Sequence, residues 1–205
     1  MEKLQTKIPE ILILKSHIYF DSRGFFTEVL NIEDLKKIGL KFDIVQVNHS
    51  YNEQVGTLRG LHFQTKPFEQ SKIVTCIKGA IFDVAVDIRP YSPNFLNFQC
   101  FLIVSHNSNF DPKNFDFPIQ YDYLIQYPDK LLIPRGFAHG YLTLLPSTEV
   151  LYFTDNKYSR EHDRVILYDD PQINIPWPKV VDNFIVSDKD RNAPLVSSLN
   201  NELEL

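Results

Sequence analysis

The sequence predicts an all-β fold, a sandwich or barrel of many short strands with a few short peripheral helices. Sixteen Phe, ten Tyr and thirteen Pro stand against seven Gly in 205 residues, the composition of short aromatic-rich strands joined by polar turns. Period-two stretches recur along the chain, from Ile44 to Ser50, Thr57 to Gln64, Ala80 to Arg89 and Glu149 to Thr154. Helix signals are few, and several short strands at this spacing suggest a closed or two-layered sheet.

The elements follow in order. The opening tract MEKLQTKIPEILIL holds one short apolar run broken by charges and Pro9. Asn31 then offers a helix N-cap, with Glu33 and Asp34 in the first turn and Lys36 and Lys37 in the last. The clearest strand signal runs from Lys72 to Arg89. After a turn at Lys78 and Gly79, the apolar set Ala80, Phe82, Val84, Val86 and Ile88 alternates with the partly polar set Ile81, Asp83, Ala85, Asp87 and Arg89. Between Ser105 and Lys130 the chain mixes Asn, Asp and Pro with aromatics and keeps no period, which predicts a long excursion, an extra loop or hairpin at about 106–123. From Ser187 onward the sequence reads as a turn followed by a short helix or tail.

Size and charge narrow the function. A chain of 205 residues with 43% hydrophobic and 23% charged residues fits one compact domain that needs no disulfide or structural metal. With 21 Lys plus Arg against 26 Asp plus Glu, the formal net charge is −5, which speaks against a nucleic-acid or membrane-surface binder. Cys76 and Cys100 sit in apolar contexts and read as buried core residues. No run of about 18 apolar residues occurs, and the location expected is the cytoplasm.

Two segments place a histidine in a strand beside glycine and polar groups, Arg59 to Gln64 (RGLHFQ) and Pro134 to Gly140 (PRGFAHG). Such a histidine can be a metal ligand, a general base or a satisfied core residue. The second segment has the form P-x-G-x-x-H, which resembles the second box of cupin barrels and so suggests a jelly roll, a double-stranded β-helix with a core at about 40–160. Metal-binding cupins carry H-x-H in the first box. Here position 64 is Gln, and His62, His139 and Glu69 would make a poor ligand set. A metal-dependent cupin enzyme stands as the alternative of a different class, and no metal site is expected.

Over nearly its whole length the chain resembles the dTDP-4-dehydrorhamnose 3,5-epimerase family. The tracts that carry the resemblance are Asp21 to Glu28, Gln46 to Ser50, Gly56 to Gln64, Gln70 to Lys72, Phe82 to Arg89 and Ile133 to Tyr141. Tyr152, Tyr158, Asp169 to Pro171, Trp177-Pro178 and Ser187 to Asp190 complete the set in the same order. The resemblance implies a homodimeric barrel spanning 1–205 that needs neither metal nor redox cofactor. It would invert C3 and C5 of a dTDP-4-dehydro-6-deoxyhexose on the way to L-rhamnose. A C4 ketone acidifies the hydrogens at both carbons, so a base on one face and an acid on the other can invert each centre.

By the same resemblance, His62 is the base, Asp190 its supporting carboxylate, Tyr152 the proton donor and Lys72 the cation beside the C4 oxygen. Substrate-binding positions implied are Arg23, Phe26, Glu28, Gln46, Asn48, Arg59, His139, Tyr158, Asp163 and Lys189, with Arg23, Phe26 and Glu28 reaching the site from the partner subunit. Other members invert C3 alone or act on GDP or heptose sugars, and these are the nearest alternatives. Asp163 stands where relatives commonly carry Glu, Tyr141 where Phe is usual, and the 106–123 excursion is longer than the family pattern. Arg59 and His62 differ in strand parity, and a bulge at Gly60 could aim both into the lumen.

Overall fold

The structure, a computed structural model, describes residues 1–114, 119–199 and 203. Its strands are β1 Glu2–Gln5, β2 Leu12–Lys15, β3 Tyr19–Asp21, β4 Gly24–Phe26, β5 Gln46–Asn52, β6 Thr57–Gln64, β7 Lys72–Lys78 and β8 Ala80–Asp87. These continue as β9 Phe98–Val104, β10 Tyr123–Gln126, β11 Lys130–Ile133, β12 Phe137–Thr143, β13 Thr148–Thr154, β14 Asp163–Val165 and β15 Ile185–Val186. Two short helices, α1 Ile32–Lys37 and α2 Asp188–Arg191, flank them. One sheet has the order β1-β2-β11-β7-β13-β5 and the other β10-β9-β8-β12-β6-β14, with β15 also on β6, while β3 and β4 form a separate hairpin. All pairings are antiparallel except β10 on β9 and β15 on β6.

The two large sheets face each other across a lumen filled by Val74 and Cys76 of β7, Ile81 and Ala85 of β8, Phe101 and Ile103 of β9 and Val150 of β13. The outer face of the β8 sheet is covered by the C-terminal segment. Ile166, Ile173, Ile175, Val196 and Leu199 pack there on Phe82, Val84 and Leu102. Trp177 sets its ring edge on Phe82 at 5.7 Å between centroids and donates its indole N–H to the Tyr168 carbonyl at 2.7 Å. Each such buried side chain contributes roughly 1.5–3 kcal/mol. Asp170 fixes the cover, accepting from the backbone N–H groups of Val196 and Gln172.

On the other sheet, α1 lays Leu35 against Leu12, Leu14, Ile73 and Phe153. Its N-cap is Asn31, whose side chain accepts from the backbone of Glu33 and Asp34 as the sequence predicts.

With both faces covered, β8 is buried along its full length, its partly polar set included. Alternation identified the two faces and left open which one looked inward. Both cysteines are buried and unpaired. The strand expected from Ile44 begins at Gln46 and runs to Asn52, whereas β6 has the bounds that its pattern predicts. The expected loop or hairpin at about 106–123 lies partly outside the described residues, at 115–118. Around that gap the chain makes a short 3₁₀ turn at Pro112–Asn114 and then adds β10 in parallel to β9.

Candidate active site

The strands of both large sheets open at one end into a cavity of about 790 Å3, lined from the β6 sheet by Arg59, His62, His139 and Tyr141 and from the facing sheet by Gln46, Asn48, Ser50, Lys72 and Tyr152. The tail segment closes it with Ile185, Ser187, Lys189 and Asp190.

Arg59 and His62 reach this cavity together because β6 is irregular between them. His62 is opposite His139 on β12, yet Arg59 is opposite Tyr141, so three steps on β6 match two on β12. Gly60 sits at that bulge with φ of +126°. A Cβ there would come within 2.5 Å of the Gly140 Cα, so the position takes glycine alone.

His62 stands between two carboxylates. Its Nε2 lies 3.1 Å from Asp190 Oδ1 and its Nδ1 3.9 Å from Asp163 Oδ1. Asp190 is held in turn by the backbone N–H of Gly60, which donates to Oδ2 at 3.2 Å, and by its place in α2, where Ser187 caps the helix. Burial disfavours the imidazolium of His62, but Asp163 and Asp190 outweigh it, and the net shift of its pKa is upward. Asp163 also accepts from the Tyr158 hydroxyl at 2.9 Å and from Lys189 Nζ at 2.5 Å. Burial works against its ionisation, yet His62, Lys189 and Tyr158 hold the carboxyl well below the usual range.

Lys72, at the head of β7, points its ammonium toward the same space, 3.5 Å from the His62 carbonyl. Burial pushes its pKa down to about 8, with Asp163 and Asp83 opposing. Tyr152 comes from the facing β13, and burial raises its phenol above the ordinary value, so it is a neutral donor at pH 7. His139 Nε2 lies 2.8 Å from Asp83 Oδ2, the carboxylate accepting from the ring N–H, both groups being buried. An imidazole braced by a carboxylate, a cation beside it and a phenol on the opposite wall can remove, stabilise and return a proton within one enclosure. Among the described residues no three His, Cys, Asp or Glu side chains converge as a metal cage.

A family model described as dTDP-4-dehydrorhamnose 3,5-epimerase matches residues 5–110 and 125–198. The chain belongs to the dTDP-4-dehydrorhamnose 3,5-epimerase family. A curated member from Shigella flexneri is 40% identical over 194 residues, 94% of each chain, and one from Methanothermobacter thermautotrophicus is 37% identical over 191 residues, 92% of this chain and 91% of its own. The crystal structure of the epimerase from Bacillus anthracis, with TDP and pyrophosphate bound, superposes with a TM-score of 0.79 at 38% identity, covering 94% of this chain and 98% of that one. That from Legionella pneumophila, in complex with dTDP-4-keto-L-rhamnose, gives 0.81 at 33% identity over 98% of this chain and 95% of its own. The two facing sheets are thus the cupin-type jelly roll that the sequence predicts.

Within this epimerase fold the cavity gathers His62, Lys72, Tyr152, Asp190, Gln46, Asn48, Arg59, His139, Tyr158, Asp163 and Lys189. Gln46 donates to Asn48 at 2.7 Å and accepts from the Tyr158 backbone, which ties the head of β5 to the loop after β13. Arg23, Phe26 and Glu28 are not among the lining residues. They are exposed on or just beyond the β3–β4 hairpin, with Arg23 paired to Asp21 at 2.6 Å and Glu28 accepting from Asn31. Sequence reasoning missed Asp83 behind His139. Alternation placed it on the partly polar face of β8, beside Asp87, and could not say that this face lines the lumen.

Proposed function

We propose that this epimerase converts dTDP-4-dehydro-6-deoxy-D-glucose to dTDP-4-dehydro-L-rhamnose, inverting C3 and C5 by proton removal and return, in the biosynthesis of L-rhamnose for surface polysaccharide. The observation that carries the reading is that His62 and Tyr152 stand on opposite walls of one cavity, on β6 and β13, with Lys72 entering from β7 on the Tyr152 wall and reaching the His62 carbonyl.

In this reading Asp190 engages Nε2 of His62 and leaves the other ring nitrogen to take the proton from C3, then from C5. Electron density moves to the C4 oxygen, and the Lys72 ammonium stabilises that enolate more than the ketone it came from. Tyr152 delivers a proton to the opposite face, which gives inversion. Arg59 gives forked hydrogen bonds to the diphosphate, as does Arg23 across the dimer interface, and Lys189 lines the same pocket beside Asp163. His139 hydrogen-bonds the sugar or phosphate, Tyr158 stacks on the thymine, and Gln46, Asn48 and Asp163 recognise the remaining nucleoside groups.

The working unit in this proposal is a homodimer in which Arg23, Phe26 and Glu28 complete the partner's cavity. Two features support it. The hairpin that bears Arg23 leaves Tyr19, Phe20 and Phe26 between 60 and 66% exposed, and the outward face of edge strand β5 leaves Val47 and Tyr51 about half exposed. We place the enzyme in the cytoplasm on the support of two unpaired thiols and a nucleotide-linked substrate. The whole chain is read as one domain, with 106–123 an addition at the barrel edge; the family match omits 111–124.

The test is product configuration. After incubation, borohydride reduction and hydrolysis, 6-deoxy-L-hexoses are expected. Sugars of 6-deoxy-D-allose and 6-deoxy-D-gulose type would show inversion at C3 alone, and recovery of only D-quinovose and D-fucose would overturn the assignment.

A further inference from the structure

One group in the cavity wall has no part in the chemistry described above. Tyr141 follows Gly140 on β12, is 5% exposed, lines the cavity and turns its hydroxyl toward Ser50 and Asn52 of β5. Burial raises its phenol, with Ser50, Arg59 and Asn52 opposing, so the hydroxyl keeps its proton and can both give and accept a hydrogen bond.

The bonds around it run in one direction. Arg59 Nε donates to Asn52 Oδ1 at 2.8 Å. Asn52 Nδ2 donates to the Tyr141 hydroxyl at 3.4 Å and to the Thr148 carbonyl at 3.2 Å. The Tyr141 hydroxyl meets Ser50 Oγ at 2.8 Å, and Ser50 has the Val150 carbonyl as its own acceptor at 3.5 Å. Because the Tyr141 oxygen accepts from Asn52 and Ser50 donates onward, Tyr141 is the donor to Ser50. Asn52 is 2% exposed and could present either end of its amide to Arg59. Tyr141 and the Thr148 carbonyl fix the amide so that its oxygen, the acceptor, faces the guanidinium. Arg59 thereby bonds through Nε alone, and its two terminal amino groups have no hydrogen-bond partner among the described residues.

We propose that Tyr141 is a positioning residue for substrate capture, holding Asn52 in the orientation that anchors Arg59 by Nε and presents its paired amino groups to the diphosphate. A fixed guanidinium fork loses less freedom on binding a diphosphate than a free one, so the anchoring acts on affinity and not on the proton transfers. This inference rests on the epimerase reading of the cavity.

The test is Tyr141→Phe, which keeps the ring volume, made in the wild-type and in the Arg59→Ala background. Calorimetry with dTDP gives Kd, and steady-state turnover separates KM from kcat. In the wild-type background, Kd and KM are expected to rise about three- to tenfold, the scale of one hydrogen bond, while kcat stays within about twofold. In the Arg59→Ala background the same change should alter Kd by less than about twofold, since the group it acts through is gone. Unchanged Kd in the wild-type background would overturn the proposal, as would an equal rise in both backgrounds, which is what a general packing defect gives. Failure of the wild-type protein to bind dTDP would overturn the epimerase reading and this inference with it.

Discussion

Oδ1 of Asp190, on the short helix α2, lies 3.1 Å from Nε2 of His62 on β6, while the other carboxylate oxygen accepts the backbone N–H of Gly60 at 3.2 Å. One side chain therefore braces both the imidazole and the bulge that aims it. Asp190→Asn preserves the size and an acceptor for Gly60 but removes the charge that supports the imidazolium. The expected result is a fall in kcat of about 100- to 10,000-fold with the Tm little changed. Loss of turnover by less than about tenfold would remove Asp190 from the assigned role.

The pH profile of kcat/KM follows from the free enzyme's groups. His62 must be neutral to take a proton, and its pKa is raised above the ordinary 6.5 by Asp163 and Asp190 against burial. The acid limb therefore falls above 6.5. Lys72 must keep its charge, which it loses above about 8. A narrow bell between those limits is expected, and Asp163→Asn should move the acid limb to lower pH. A profile flat from pH 6 to 9 would contradict both assignments.

Lys72→Met separates catalysis from stability. Burial holds the Lys72 pKa down at about 8, so the fold carries a cost for keeping the ammonium charged. The variant should lose about 100- to 1,000-fold in kcat, the scale of one donor to a developing oxyanion, without a lower Tm. A variant that melts earlier and turns over normally would mark Lys72 as structural.

Gly60→Ala tests the bulge. Its positive φ costs a side-chain-bearing residue about 1–3 kcal/mol, and the added Cβ would lie 2.5 Å from the Gly140 Cα and 2.8 Å from the His139 carbonyl oxygen. A clear drop in Tm together with loss of turnover is expected; a variant of wild-type Tm would show that β6 can regularise without harm.

How far these features were legible depends on their range along the chain. The bounds of β6, the cap at Asn31 and the turn at Gly79 rest on local pattern, and the structure reproduces them. The parity conflict between Arg59 and His62 pointed to a bulge at Gly60, which the register of β6 against β12 displays. No local rule pairs His62 with Asp190, since a four-residue helix with an N-cap Ser187 looks like any surface turn; only the family resemblance joined them. Strand β10 was missed because four residues at a sheet edge carry no period of their own, and its parallel partner β9 is set by tertiary packing. The inward aim of Asp83 was hidden for the same reason, alternation being blind to which face is the lumen.

The dimer proposal has its own check by complementation. His62→Asn and Arg23→Ala are each expected to be poorly active, yet mixed and re-equilibrated chains form hybrids in which one cavity has an intact His62 and receives an intact Arg23. Recovery to about a quarter of the wild-type rate is expected from the symmetry of such hybrids. No recovery in a mixture shown to contain hybrids would mean that Arg23 serves no site across the interface.

The most direct test is proton NMR in D2O with dTDP-4-dehydro-6-deoxy-D-glucose, following the C3 and C5 hydrogens separately in the wild-type enzyme and in His62→Asn. Wild-type protein should exchange both hydrogens and the variant neither, with its fold intact. Exchange confined to C3 in the wild type, or continued exchange at either carbon in His62→Asn, would contradict the assignment of His62 as the single base for both inversions.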